Sequence, residues 1–255
     1  MIDIHSHILP KIDDGSTDIN TTIQMIRNAE KQGTTSLVAT PHFCIGYGET
    51  EYLKVKSMVA ELKRIVENEE INIELFHGQE VYYTENIVEL YKEGIIGTIN
   101  DTKYMLIELP LKEFDILDIL NELYEIKIRG IVPILAHPER YRPFIHNQLL
   151  INEFIREEFL FQVNSGSLTG QFGKSVKKTA EIFVKNNIYN FIGSDAHNIT
   201  NRLTGVSEGR LCAIKKNDLY ENFFEESSIK MLNNQDVIFQ GETLIKRKFI
   251  DFFKK

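Results

Sequence analysis

Side chains able to bind divalent cations recur at one kind of place in this sequence. His5 and His7 close an apolar, β-rich run at 2–5. His42 follows the run at 36–40, in Thr40-Pro41-His42. Glu80 follows 71–76, in His77-Gly78-Gln79-Glu80. Glu108 lies at the end of 104–109, and His137 follows 131–135 in Ala136-His137-Pro138. Asp195 and His197 follow 190–192, in Ser194-Asp195-Ala196-His197. Neutral imidazoles and carboxylates are ligands for first-row divalent metals. Carboxylates packed together repel unless a cation neutralises them. Residues i and i+2 of a strand point the same way, so His5-x-His7 is a fitting start for one metal site. A lone histidine near a strand end is usually a solvated loop residue. Five such placements are hard to assign to chance. Asp13 and Asp14 lie in the loop after His7. Asp-Asp-Gly-Ser suits a turn and a helix start, and either carboxylate can reach the same place; sequence logic does not choose between them.

The elements that carry these residues alternate. Besides the runs above, 160–163 reads as a strand. Helical patterns lie near 18–32, 51–67, 85–93, 115–128, 147–158, 174–186 and 207–216. Ser16 and Thr17 are candidate caps of the first helix and Gly33 is its stop. Seven strand–helix alternations predict an α/β fold with a parallel sheet and outer helices, either a barrel or a doubly wound sheet. In both, strand C-terminal ends share one face, where active sites sit. Five of the seven histidines and at least three carboxylates would meet there.

Composition sets outer bounds. The chain has 255 residues with 42% apolar and 26% charged side chains, which is globular. No composition break marks a linker, so 1–255 reads as a single domain. Its net charge of −8 argues against nucleic acid or an anionic membrane as a bulk partner. Cys44 and Cys212 form no Cys-x-x-Cys pair, so neither a disulfide framework nor a thiolate zinc site is expected. No run approaches the roughly 18 apolar residues of a membrane span, and the N-terminus has no signal-peptide core. A cytoplasmic location without stable membrane insertion is the expectation. The segment 236–255, ending in Lys246-Arg247-Lys248-Phe249-Ile250-Asp251-Phe252-Phe253-Lys254-Lys255, reads as a terminal helix packing its phenylalanines on the fold. An amphipathic surface anchor is the alternative.

Taken together, Asp3-Ile4-His5-Ser6-His7, Asp13-Asp14-Gly15, Thr40-Pro41-His42, Gly78-Gln79-Glu80, His137-Pro138-Glu139-Arg140-Tyr141 and Ser194-Asp195-Ala196-His197 resemble the PHP (polymerase and histidinol phosphatase) superfamily. Within it, the chain is similar to the capsule-type, manganese-dependent tyrosine-protein phosphatases of Gram-positive bacteria. The resemblance covers positions 3 to 202. It implies a distorted seven-stranded (β/α)7, TIM-like barrel with a trinuclear centre at the C-terminal strand face. By matching position, His5, His7, Glu80 and Asp195 would hold a first metal. Glu80 would bridge to a second, held also by Glu108 and His137. Asp14, His42 and His197 would hold a third, which selects Asp14 over Asp13. Arg140 and Arg202 match the family's phosphate-contacting arginines. The ions implied are Mn2+, with iron, zinc or magnesium as alternatives. The implied partner is a tyrosine-phosphorylated protein, a bacterial autokinase of capsule or exopolysaccharide synthesis.

Charge counting agrees with a phosphomonoester dianion as substrate. Four carboxylates against three divalent ions leave about two positive charges, before the arginines are added. Metals about 3.5–4 Å apart clamp the oxygens of an in-line displacement, and a bound water acidified toward a pKa of roughly 7 would attack phosphorus. A phenolate leaving group, with a pKa near 10, needs little protonation. Rival chemistries fail at named residues. A thiol phosphatase needs Cys, five residues, then Arg, but Thr50 and Asp218 occupy those positions. A P-loop needs glycine where Leu168 stands, so Gly173-Lys174-Ser175 reads as a helix start. No G-x-S-x-G elbow occurs. Phe43–Glu51 and Ser165–Phe172 are the segments expected to touch a protein substrate. Alternatives are another PHP phosphoesterase (histidinol-phosphatase-like or nuclease), a metal-dependent amidohydrolase, or a non-catalytic metal-binding module.

Overall fold

The computed structural model describes residues 1–245. In chain order the elements are β1 (Ile2–Ser6), α1 (Ile19–Lys31), β2 (Ser36–Ala39), β3 (His42–Cys44), β4 (Gly48–Glu49), α2 (Tyr52–Asn68), β5 (Glu74–His77), β6 (Glu80–Tyr82), α3 (Ile87–Lys92), β7 (Tyr104–Glu108), α4 (Ile116–Lys127), β8 (Val132–Ala136), α5 (Arg142–His146), α6 (Ile151–Arg156), β9 (Leu160–Asn164), α7 (Ser165–Thr169), α8 (Lys174–Lys185), β10 (Phe191–Gly193), α9 (Ser207–Ile214) and α10 (Phe223–Leu232). The fold is α/β with parallel strands. β1, β7 and β9 are buried along their whole length, as strands covered on both faces must be.

The strands form two sheets. One has the order β1-β2-β5; the other runs β10-β9-β8-β7-β6-β3-β4. Pairing is parallel except in the β3–β4 hairpin. Two strands of the first sheet are each followed, after a short break, by a strand of the second that the sequence reading does not include. Between β2 and β3 stands Pro41, which has no N–H to give to a ladder. Between β5 and β6 stands Gly78-Gln79. The interruptions carry both chains from the first sheet to the second. His42 then pairs in register with Glu80, so the break delivers two candidate ligands side by side.

The outer edges of the two sheets also meet. Asp195 N–H donates to the His5 carbonyl at 2.8 Å, and His7 N–H to the Ala196 carbonyl at 2.9 Å. Gly193 makes this approach feasible: a Cβ there would lie 2.5 Å from His5 Cβ.

Helices pack outside on alternating apolar faces. α1 buries Met25, Ile26 and Ala29, and α2 buries Val55, Val59, Leu62 and Val66. The cap of α1 is Asp18, whose carboxylate accepts from Thr21 N–H, rather than Ser16 or Thr17. Ser16 is turned inward, onto Thr22 Oγ1 at 2.8 Å. Gly33 follows the helix at φ +82°, the left-handed stop that glycine supplies without strain.

The described part of the tail differs from its expected helix. Residues 236–245 carry no helix, because other groups take their backbone hydrogen bonds. Tyr104 Oη accepts from Val237 N–H at 3.0 Å, and Asn152 bonds both N–H and C=O of Leu244, at 2.8 and 2.9 Å. The basic, aromatic stretch at 246–255 lies outside the described residues. The helix that does cover this side is α10, burying Phe223, Phe224 and Met231. No described helix is long and apolar enough to cross a membrane.

Candidate metal centre

The strand ends bring His5, His7, Asp14, His42, Glu80, Glu108, His137, Asp195 and His197 to one mouth. Three groups of ligand atoms lie close enough to share an ion: His5, His7, Glu80 and Asp195; His7, Asp14, His42 and His197; and His42, Glu80 and Glu108. The sequence reading placed His137 in the last group. His137 Nε2 lies 3.0 Å from Glu80 Oε1 and 3.6 Å from Glu108 Oε1, while His42 Nδ1 lies 3.1 Å from Glu80 Oε2. Both imidazoles therefore face this carboxylate pair.

Tautomers decide what the first group can do. His5 Nδ1 lies 2.9 Å from Gln162 Oε1, an acceptor oriented by the bond from Gln162 Nε2 to Asn164. His7 Nδ1 lies 2.8 Å from Asp13 Oδ2. Each Nδ1 must donate, so each Nε2 turns a lone pair inward. Those two nitrogens face each other at 3.1 Å. Glu80 Oε2 sits 3.0 and 3.2 Å from them and makes no hydrogen bond of good geometry. His197 repeats the pattern. Its Nδ1 donates to the Asp195 carbonyl at 3.0 Å and its Nε2 faces Asp14 Oδ1 at 3.3 Å without a hydrogen bond. Buried lone pairs aimed at one another repel unless a proton or a metal cation lies between them. The donor set fits divalent ions held by nitrogen and oxygen.

The ionisation pattern carries the same message. Burial works against charge on His7 and His5, yet Asp13 holds the His7 pKa well above the ordinary imidazole range. Glu80 and Asp195 likewise raise that of His5. Glu108 moves oppositely: burial, Glu80 and Asp195 push its carboxyl up to about 9. Burial and the neighbouring Arg140 lower His137 to about 4. Two of the candidate ligands are also held in left-handed backbone, His137 at φ 32° and Asp195 at φ 52°. For histidine that is a strained geometry, of the kind found at functional sites.

Both arginines reach the mouth. Arg140 Nη1 donates to Asp195 Oδ2 at 2.7 Å and Arg202 Nη2 pairs with Asp195 Oδ1 at 2.5 Å. Phe172 lies 4.7 Å beneath the Arg140 guanidinium, so the segment 165–172 supports this arginine. The segment 43–51 forms the β3–β4 hairpin beside His42.

Four supporting residues were not singled out as partners by the sequence reading. Asp13 accepts from both His7 Nδ1 and His42 N–H, the latter at 3.0 Å. Gln162 orients His5, and Asn164 Nδ2 donates to Asp195 Oδ2 at 2.7 Å. Glu139 is wholly buried and accepts from Asn164 N–H and Tyr189 Oη, both at 3.0 Å. A signal for Gln162 and Asn164 existed: they are polar residues in an apolar strand whose end supplies no ligand. Cys44 and Cys212 are free and half-buried.

Comparison with known proteins places this arrangement. The family model described as capsular polysaccharide synthesis, CpsB/CapC, matches residues 1–238. The putative tyrosine-protein phosphatase CapC of Staphylococcus aureus is 39% identical over 203 residues, covering 79% of each chain. The tyrosine-protein phosphatase YwqE of Bacillus subtilis is 36% identical over 259 residues, covering 99% of this chain and 100% of the relative. A crystal structure from work on YwqE of Bacillus subtilis and CpsB of Streptococcus pneumoniae, described as unique metal-dependent tyrosine phosphatases, superposes with a TM-score of 0.90 at 33% identity. It covers 97% of this chain and 100% of that one.

Proposed function

The chain belongs to the CpsB/CapC family of capsular polysaccharide synthesis, and from that premise we propose that it is a metal-dependent protein-tyrosine phosphatase. The observation that carries the reading is the position of Glu80. One of its oxygens faces His137 at 3.0 Å, and the other faces His5, His7 and His42 at 3.0, 3.2 and 3.1 Å. A carboxylate so placed can belong to two cation sites at once.

On this reading His5, His7, Glu80 and Asp195 hold one divalent ion. Glu80, Glu108 and His137, with His42 nearby, hold a second, and Asp14, His42 and His197 a third. Mn2+ is the proposed metal. Such ions, when bound, neutralise the carboxylates, acidify a water and offset the charge of a phosphate ester. The protein's own groups do the rest. Asp13 and Gln162 fix the tautomers of His7 and His5. Arg140, supported on Phe172, and Arg202 offer guanidinium N–H groups to phosphate oxygens, which they can grip in pairs. A tyrosine leaving group departs as a phenolate of pKa near 10 and needs little proton assistance; no general acid is assigned.

The two sheets, joined at His5–Ala196, are read as an opened form of a distorted seven-stranded (β/α)7 barrel, and residues 1–255 as one PHP-type domain. The proposed substrate is a tyrosine-phosphorylated protein, with a tyrosine autokinase of capsule or exopolysaccharide synthesis as the leading partner and the cytoplasm as the place of action. The test is hydrolysis of matched phosphotyrosine, phosphoserine and phosphothreonine peptides with and without Mn2+. Turnover confined to phosphotyrosine and dependent on metal supports the reading. Metal-independent turnover, or none, overturns it.

A further inference from the structure

Building on the phosphatase reading, we propose that the cleft walled by Tyr47, Tyr82, Pro110 and Leu111 seats the aryl ring of the substrate and selects aromatic over aliphatic phosphoesters. The cleft has a volume of about 420 Å³ and opens directly off His42 and Glu108, which line it. That size is ordinary for a site that takes a small organic group. Its position follows from the fold. Tyr82 pairs in register with Glu108 across β6 and β7, so its ring stands beside the carboxylate. Pro110 and Leu111 continue from the end of β7. Tyr47 is carried by the β3–β4 hairpin, its ring 6.4 Å from that of His42 and edge-on to it.

The walls divide by chemistry. At the inner end are the imidazole and carboxylate of the cation sites. Outward the lining turns to aromatic and aliphatic carbon, with Lys112 as its one cationic side chain. Tyr47 remains 65% exposed and Leu111 37%, so both keep carbon surface open to solvent. A phosphorylated phenol has the same division: a dianion at one end and a flat apolar ring at the other. A phosphoserine brings one methylene to this cleft and leaves its carbon walls in water. Rings also pack favourably on rings, edge-to-face or offset.

The test compares binding of phenylphosphonate and methylphosphonate to the Mn2+-loaded protein by calorimetry, in the wild type and in Tyr82→Ala and Leu111→Ala. Neither compound needs turnover to report. Phenylphosphonate is expected to bind at least tenfold tighter to the wild type. Each substitution should cut that advantage several-fold, by the factor typical of hydrophobic pocket contacts. Both side chains are partly exposed, so the fold tolerates their loss. Equal binding of the two phosphonates to the wild type, or an aryl preference untouched by both substitutions, overturns the proposal. An aryl preference in a protein that hydrolyses no phosphotyrosine peptide would keep the cleft and remove the phosphatase reading. Turnover without an aryl preference would do the reverse.

Discussion

Asp13 accepts the Nδ1 proton of His7 at 2.8 Å and thereby turns the other ring nitrogen toward Glu80 and Asp195. Carboxylate–histidine pairs of this kind fix ligand orientation and raise basicity. Asp13→Ala is therefore expected to weaken Mn2+ binding by about 10–100-fold. Much of the turnover should return at saturating metal. Metal titration of the purified variant checks this; wild-type affinity would remove Asp13 from the site.

Glu80 faces four histidines, so its loss should be felt by more than one ion. His5→Ala and Glu80→Gln are each expected to abolish phosphatase activity with the fold largely kept, as read by circular dichroism. Glu80→Gln should also lower the metal-to-protein ratio by more than one. Near-wild-type rates with metal present would show that the ligands are wrongly chosen.

The metal-free protein should have an unusual pH response. Glu108 titrates near 9 when folded and near 4.5 when unfolded. Between those values the folded state binds the extra proton, so this group makes stability fall as pH rises from about 5 to 9. His5 and His7, raised above 6.5, act in the same direction above neutrality. His137, His42 and His197, lowered below 6.5, act oppositely up to about neutrality, so thermal melts of metal-free protein should drop in Tm from about pH 7 to 9, less so in Glu108→Gln. Mn2+ should remove most of the slope by replacing the protons. A metal-free Tm that climbs from pH 7 to 9 would contradict the ionisation pattern.

Gly193 leaves no room for a side chain against His5. Gly193→Ala should cost about 1–3 kcal/mol of stability by overpacking, and weaken metal binding because His5 must move. Unaltered metal affinity in a destabilised variant would show that β10 can yield without disturbing β1.

Arg202 and Arg140 both converge on Asp195. Arg202→Ala should raise KM for phosphotyrosine peptides about tenfold or more, the scale of a lost charge-assisted hydrogen bond, without lowering metal content. Steady-state kinetics with parallel metal analysis separate the two effects.

Much of this was legible from residue type and strand position. The alternation of strands and helices predicted the α/β class, and strand C-terminal ends predicted where His5, His42, Glu80, Glu108, His137 and Asp195 would gather. What escaped had local physical causes. The short strands β3 and β6, which resume just after Pro41 and Gly78-Gln79, have too few residues to show a strand pattern. Asp18 outcompeted Ser16 and Thr17 as a cap, because Ser16 is drawn inward to Thr22. Residues 236–245 give backbone bonds to the side chains of Tyr104 and Asn152 in place of a helix, distant partners that periodicity does not reveal. The roles of Asp13, Gln162 and Asn164 depend on which ring nitrogen they touch, a relation that exists only once the strands are folded together.

The most direct test is the anomalous diffraction of a crystal grown with manganese. Peaks are expected at the three clusters built around His5–Asp195, Glu80–Glu108 and Asp14–His197, with Glu80 contacting two of them. Manganese found elsewhere, or no peak among these side chains, would contradict a cation-centred phosphatase site.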